Sequence, residues 1–269
     1  MHVRRYPRSG THFIAQIVAL LIGHAHAVDD LDGAVPYAEK CVSLGFRLDT
    51  SDASVVAGGT SLDRRCYYTH AHPEDWPFLD PPHATRTIFV VRNPKDVASS
   101  FFAFLSQMPA HAGKWPTLDA FVDDFLDRPE KVVAGSWLKH TLKWHDMANR
   151  PVARGKVLWL RFEEVKRDTA ASIRKIANFL NVELTADLLK RTIELSSFES
   201  MKERVSKQTT HLQHFSSKGA GGLAGQVAFF RSGEIGSLVV EAPQCAARFE
   251  AQWSQPLKGA GIASVMDAS

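Results

Sequence analysis

"RRYPRSGTHFIAQIVALLIGHAHA", residues 4–27, admits two incompatible readings. Two arginines, an apolar run and Ala25-His26-Ala27 have the layout of a secretory signal peptide with an A-x-A cleavage site. The same residues have the layout of a strand end, a Gly-containing turn and a helix, which is how phosphate-binding loops are built. In the second reading Gly10 permits a tight turn and the close approach of backbone N–H groups to an anion. Ser9 and Thr11 add hydroxyls, Arg8 adds a cation, and the following helix aims its positive N-terminus at the same spot. The Walker pattern G-x-x-x-x-G-K-[ST] is absent. Taken alone, the stretch does not decide between a leader, a plain turn and a phosphate loop.

The rest of the chain bears on the choice. Its 269 residues are 45% hydrophobic and 23% charged, ordinary for a globular protein able to bury a full core. A single domain over residues 1–269 is expected. The formal net charge of +3 is too near balance to point to nucleic acid or a membrane surface as partner. Cys41, Cys66 and Cys245 are sparse, odd in number and without C-x-x-C spacing. That pattern fits a reducing, cytoplasmic setting rather than a disulfide framework or a zinc site. No apolar run approaches the roughly 20 residues of a membrane span.

Strand and helix patterns alternate. Residues 2–6 read as a short strand and 11–22 as a helix, with Phe13, Ile14, Ile17, Val18 and Leu21 forming its apolar face. A second helix is expected over 34–44. Strands are expected at 65–69, at 85–91, where Ile88 to Val91 is a continuous apolar run, and at 156–162. Helices are expected at 94–104, with Pro94 suited to the first turn, and at 118–126, 132–147, 170–180 and 186–195. Residues 207–226, rich in Ser, Thr, His and Gly, read as a long loop. The alternation points to an α/β fold: three layers, α/β/α, with a central parallel sheet and a P-loop-like phosphate-binding loop.

Two further stretches carry candidate chemistry. In "FVVRNPKDVASS", residues 89–100, a buried strand delivers Arg92 to the carboxyl edge of the sheet, where open α/β sheets bind ligands. Ser100 lies eight residues on, about two helical turns away. In "FFRSGEIG", residues 229–236, Arg231, Ser232 and the Gly233 N–H have the makings of a second anion grip. Among the 12 histidines, His70 sits at an expected strand end on the same sheet edge. A neutral histidine there can take a proton from an acceptor hydroxyl or amine. His72 lies two positions on, and His24 and His26 form a similar pair, but no carboxylate or cysteine completes a ligand set, so no metal is expected.

Together these motifs resemble the cytosolic sulfotransferases, which use 3′-phosphoadenosine 5′-phosphosulfate (PAPS). "YPRSGTHF" is similar to that family's Y-P-K-S-G-T-T-W, and "VVRNPKDVASSFFAF" to its V-x-R-N-x-K-D-V-A-x-S-x-Y-x-F. "SSFESMKE", residues 196–203, is similar to T-S-F-x-x-M, and "FFRSGEIG" to F-x-R-K-G-x-x-G-D-W. The order and wide spacing also match, from Tyr6 to about Gly236. The resemblance implies that Arg8, Ser9, Gly10, Thr11, His12 and Phe13 bind the 5′-phosphosulfate and that Arg92 and Ser100 contact the 3′-phosphate. Arg231, Ser232 and Gly233 would close over that phosphate, and Phe230 beside them is counted among the cofactor-binding residues. Ser196, Phe198 and Met201 would lie near the adenine. "YYTHAHP" places Thr69 and His70 where the family carries its catalytic Thr-His, so His70 becomes the implied general base and Arg8 the cation at the leaving phosphate.

The departures are specific. Arg8 replaces a lysine, and its planar fork differs in geometry from an ammonium. Tyr68 replaces the lysine before Thr-His, Phe162 replaces a tyrosine, and His12 and Phe13 replace Thr-Trp. Ser232 replaces a lysine, and the family's C-terminal dimer segment is not recognisable in "SLVVEAPQCAARFE", which leaves the oligomeric state open. The expected function is sulfuryl transfer from PAPS, without metal, to a hydroxyl or amine of a small-molecule acceptor. Its pocket would lie near Phe102, Phe104 and residues 211–225. The alternatives are a P-loop-type kinase, which would want the missing Walker lysine and a Mg²⁺-binding carboxylate, and a non-catalytic nucleotide-binding protein of the same fold. A leader would have no use for partner motifs at Arg92, Ser196 and Arg231, so the opening stretch is read as the phosphate loop.

Overall fold

The computed structural model describes residues 2–23, 66–75, 86–207 and 233–267. The expected helix over 34–44 and most of the loop over 207–226 lie outside these residues. The chain divides into two compact units, Met1–Val91 with Lys139–Ser197, and Arg92–Leu138 with Phe198–Ser269.

The first unit is built around β1, His2–Arg4, a three-residue strand with a parallel partner on each side. β2 is Tyr67–Thr69, β3 is Thr87–Val91 and β4 is Val157–Arg161, and the sheet runs in the order β2-β1-β3-β4 with every pairing parallel. Register sets which side chains share a face. Val3 lies level with Tyr68 and Ile88, and Ile88 level with Leu158. These side chains, with Val90 and Leu160, pack into one apolar core. Their neighbours in sequence point the other way because strands alternate faces.

The core is closed by α1, Thr11–Leu21, with α6, Thr169–Leu180, and α7, Ala186–Ser196. The expected apolar stripe of α1 is in fact wider, since every residue from Ile14 to Ile22 is buried, Gln16 included. A helix buried all round needs apolar residues all round, which is why its sequence imitates the apolar region of a leader. On the opposite face Arg4, Phe89 and Trp159 meet α4, Trp137–Asn149. The Arg4 guanidinium lies 4.7 Å from the Trp144 ring, and Phe89 stacks on both Trp144 (5.5 Å) and Trp159 (4.6 Å). Helices on both faces make the three layers the sequence implied.

In the second unit α2, Pro94–Leu105, and α3, Leu118–Asp127, join α10, Pro243–Gly259, around an aromatic cluster. Phe121 meets Phe101 edge-on and Trp115 at 4.9 Å, and Trp137 stacks on Trp253 with planes 6° apart. Lys95 pairs with Glu250 at 2.6 Å, and Arg248 bridges Asp123 and Asp127. α8, Phe198–Lys207, and the short α9, Ser237–Glu241, complete this unit. Among the described residues no helix is long and apolar enough to cross a membrane.

Two boundaries differ from expectation for local reasons. The helix expected from residue 132 begins at Trp137, because a 3₁₀ turn at Pro129–Lys131 and Gly135 at φ 67° keep the preceding residues non-helical. Phe162, expected at the end of a strand, opens the short α5, Phe162–Arg167.

Candidate active site

The β1–α1 turn is the first half of the candidate site. The chain leaves β1 to form β2 on one side and returns to form β3 on the other, so the carboxyl end of β1 is the switch point at which such sheets bind ligands. Arg8 and Gly10 both take positive φ, 67° and 89°. Gly10 is required there twice over. The left-handed conformation suits it, and a Cβ on it would lie 2.4 Å from the Phe162 ring. Gly10 is also the N-cap of α1, and no side chain caps the helix, so the start of α1 is open to an anion. Ser9 is fully buried, and its Oγ has no hydrogen-bond partner among the described residues. A buried hydroxyl left so costs about 1–3 kcal/mol, a cost that a phosphate oxygen relieves. The turn therefore fits the phosphosulfate end of PAPS. Thr11 opens α1, His12 lies 6.0 Å from the Tyr68 ring, and Phe13 meets Phe162 edge-on.

His70 follows β2 and reaches this turn. Its Nδ1 lies 3.1 Å from the Arg5 carbonyl oxygen, which can only accept, so Nδ1 carries the proton and Nε2 is the basic nitrogen. Burial first, and then the Arg5 guanidinium, hold its pKa well below the usual histidine value. The Arg5 guanidinium lies over the Tyr68 ring, 5.4 Å from its centre.

The backbone beneath His70 is held by side chains. The Ala71 N–H donates to Thr69 Oγ1 at 3.0 Å, His140 Nε2 donates to the His70 carbonyl at 3.0 Å, and Trp144 Nε1 donates to the Ala71 carbonyl at 3.1 Å. Sequence reasoning missed Arg5, His140 and Trp144. The signal was present in α4, where His140 and Trp144 stand one turn apart on the face turned to the sheet.

The remaining candidates divide between the units. In the first, Ser196 is fully buried at the end of α7 and donates its Oγ–H to the Thr192 carbonyl at 2.6 Å. In the second, Arg92 directly follows β3 in sequence and donates to the Glu234 carbonyl at 3.0 Å, while Asp96 accepts the Gly236 N–H at 2.9 Å. Ser100 lies half-buried on α2. Gly233, at φ 65°, packs so closely on Phe198 that a Cβ would come within 2.9 Å of its ring, and Met201 is buried on the same helix, α8. The stretches quoted at 89–100 and 229–236, some 140 residues apart, thus meet in this unit. Phe230, Arg231 and Ser232 lie outside the described residues. Among the described residues no three His, Cys, Asp or Glu side chains come together as a metal-ligand set.

Comparison with known proteins bears on the family and the fold. Residues 3–238 match the family model described as the sulfotransferase domain. A 3-alpha-hydroxysteroid sulfotransferase of Cavia porcellus is 30% identical over 209 residues, covering 78% of this chain and 68% of the relative. An amine sulfotransferase of Oryctolagus cuniculus is 30% identical over 201 residues, covering 73% and 61%. The fold is shared with mouse sulfotransferase SULT7A1 in complex with PAP (TM-score 0.70, 23% identity, 99% of this chain and 86% of that one). It is shared also with retinol dehydratase in complex with androsterone and PAP (TM-score 0.70, 20% identity, 96% and 80%). With a family match running from the central strand through the phosphate turn and both carboxyl-edge motifs, the chain belongs to the cytosolic-type, PAPS-dependent sulfotransferase family.

Proposed function

We propose that this sulfotransferase sulfates a hydroxyl or amine of a small organic acceptor by in-line displacement, with His70 as the general base. The observation that carries this reading is the His70 ring geometry: Nδ1–H is committed to the Arg5 carbonyl, which puts the ring's lone pair on Nε2, the nitrogen that takes the acceptor's proton. A base of this kind contributes about 100- to 10,000-fold. PAPS supplies the activated sulfuryl group. Arg8, the loop amides and the Ser9 hydroxyl neutralise charge developing on the leaving phosphate oxygens, the preorganised stabilisation that a low-dielectric site makes effective. Gly10, Thr11, His12 and Phe13 shape the same turn. Arg92 and Ser100, with Arg231, Ser232 and Gly233, hold the 3′-phosphate and so position the donor. Ser196 and Phe198 bound the adenine, and Phe230 belongs to the same donor-binding set.

Relatives named for hydroxysteroids and for amines support both acceptor classes. Free thiols at Cys66 and Cys245 suit a cytoplasmic setting. Radiolabelled transfer from PAPS to panels of phenols, alcohols, amines and sugars identifies the acceptor. In the same assay His70→Ala abolishes turnover while PAP binds as in the wild type. Near-normal turnover by that variant overturns the base assignment.

A further inference from the structure

β2 ends at Thr69, and residues 70 and 71 follow it. Besides the Ala71 N–H given to Thr69 Oγ1, α4 holds this segment, where donors one helical turn apart, His140 Nε2 and Trp144 Nε1, meet the consecutive carbonyls of His70 and Ala71. We propose that His140 is a positioning residue for the reaction: its N–H, given to the His70 carbonyl, fixes the backbone from which the His70 imidazole reaches the Arg5 carbonyl and presents Nε2. This inference rests on the reading of His70 as base.

Packing alone does not account for a histidine here. The ring is 1% exposed, stacks on Phe89 at 5.8 Å and meets Tyr6 edge-on at 5.8 Å, contacts a phenyl ring would make as well. An imidazole brings polar atoms that are expensive to bury unless bonded. Its Nδ1 has no hydrogen-bond partner among the described residues, so its polar return is on the Nε2 side, at the end of β2. Burial, and then the neighbouring His72, push its pKa down to about 3, so it stays neutral with its proton on Nε2. It can donate to the carbonyl without adding a second cation beside the base.

The test separates hydrogen bond from packing. His140→Phe keeps the ring contacts and deletes the donor, and His140→Gln restores an N–H of similar reach. With the acceptor found by the panel, His140→Phe is expected to lower kcat by about 10- to 100-fold, the scale of a small misplacement of a reacting group. KM for PAPS should stay within about twofold, and His140→Gln should recover most of the rate. Equal rates for the Phe and Gln variants overturn the proposal. Ring-nitrogen NMR of the PAP-saturated protein gives an acceptor-independent readout. The wild type should show His140 protonated on Nε2 and His70 on Nδ1, with His70 losing that single tautomer in His140→Phe. A His140 ring not protonated on Nε2 in the wild type overturns the proposal without any variant. If instead His70→Ala keeps its activity, the base reading falls, while the His70 tautomer still decides whether His140 holds that ring.

Discussion

The two strand-to-helix turns at the carboxyl edge of the sheet handle the same physical problem in opposite ways. After β3 the chain needs only Arg92 and Asn93 before α2 begins, and that helix is capped from within: the Asn93 side chain accepts the Lys95 N–H, and Pro94 fills the first turn. After β1 the chain takes a longer path from Arg5 to Gly10, visits positive φ twice, and starts α1 with no side-chain cap. A helix that satisfies its own first N–H groups has little backbone left for an anion, so a phosphate there must be met by side chains such as Arg92. A helix left uncapped behind a glycine offers the backbone itself. One turn is built for stability and the other for ligand.

The sharpest way to break this contrast is Gly10→Ala. It forces a side chain into the left-handed region and against Phe162, and kcat/KM for PAPS should fall by at least about 100-fold. Steady-state kinetics beside a circular dichroism check of fold decides it, and near-wild-type kinetics would sink the backbone cradle. Arg92→Ala comes next: losing a charge-assisted contact should weaken PAP binding by about 10- to 100-fold in calorimetry, and unchanged affinity removes Arg92 from the 3′-phosphate.

A third outcome concerns pH. In the folded state His70 and His140 titrate below the ordinary value of 6.5, with His140 at about 3. The folded protein therefore binds fewer protons than the unfolded chain below about pH 6.5. Stability present above that pH is lost as pH falls towards the folded values. The melting temperature should drop on acidification, and His140→Phe should flatten the slope; an unchanged slope refutes the burial of a neutral His140. The smallest effect falls on the self-capped turn. Asn93→Ala, which loses both the cap and the Nδ2 bond to the Met266 carbonyl, should cost about 2 kcal/mol in denaturant unfolding and leave PAP affinity as it was. A large loss of affinity would mean that the second turn, too, is a ligand turn.

Much of this contrast was legible in the sequence, because glycine, proline and the apolar period act locally. Gly10 marked the first turn, Pro94 the second, and Ile88 to Val91 the buried strand between them. The start of α4 was misread because Gly135 acts through a backbone angle that an apolar pattern does not register. Arg5, His140 and Trp144 were missed for a different reason. Each acts through a backbone carbonyl, Arg5 by offering its own to His70 and His140 and Trp144 by donating to those of His70 and Ala71, and a carbonyl looks the same at every position of a sequence.

The position of β1 also bears on how the protein is made. The strand at the middle of the sheet is synthesised before both of the strands that flank it, since β2 and β3 do not appear until residues 67 and 87. At ordinary elongation speeds that leaves α1, with its all-round apolar surface, waiting on the order of ten seconds for the layers that cover it. In that interval the nascent chain presents to chaperones and targeting factors a greasy segment it will later hide. The apolar surface that makes α1 a core helix is thus an uncovered one for as long as its neighbouring layers are unmade.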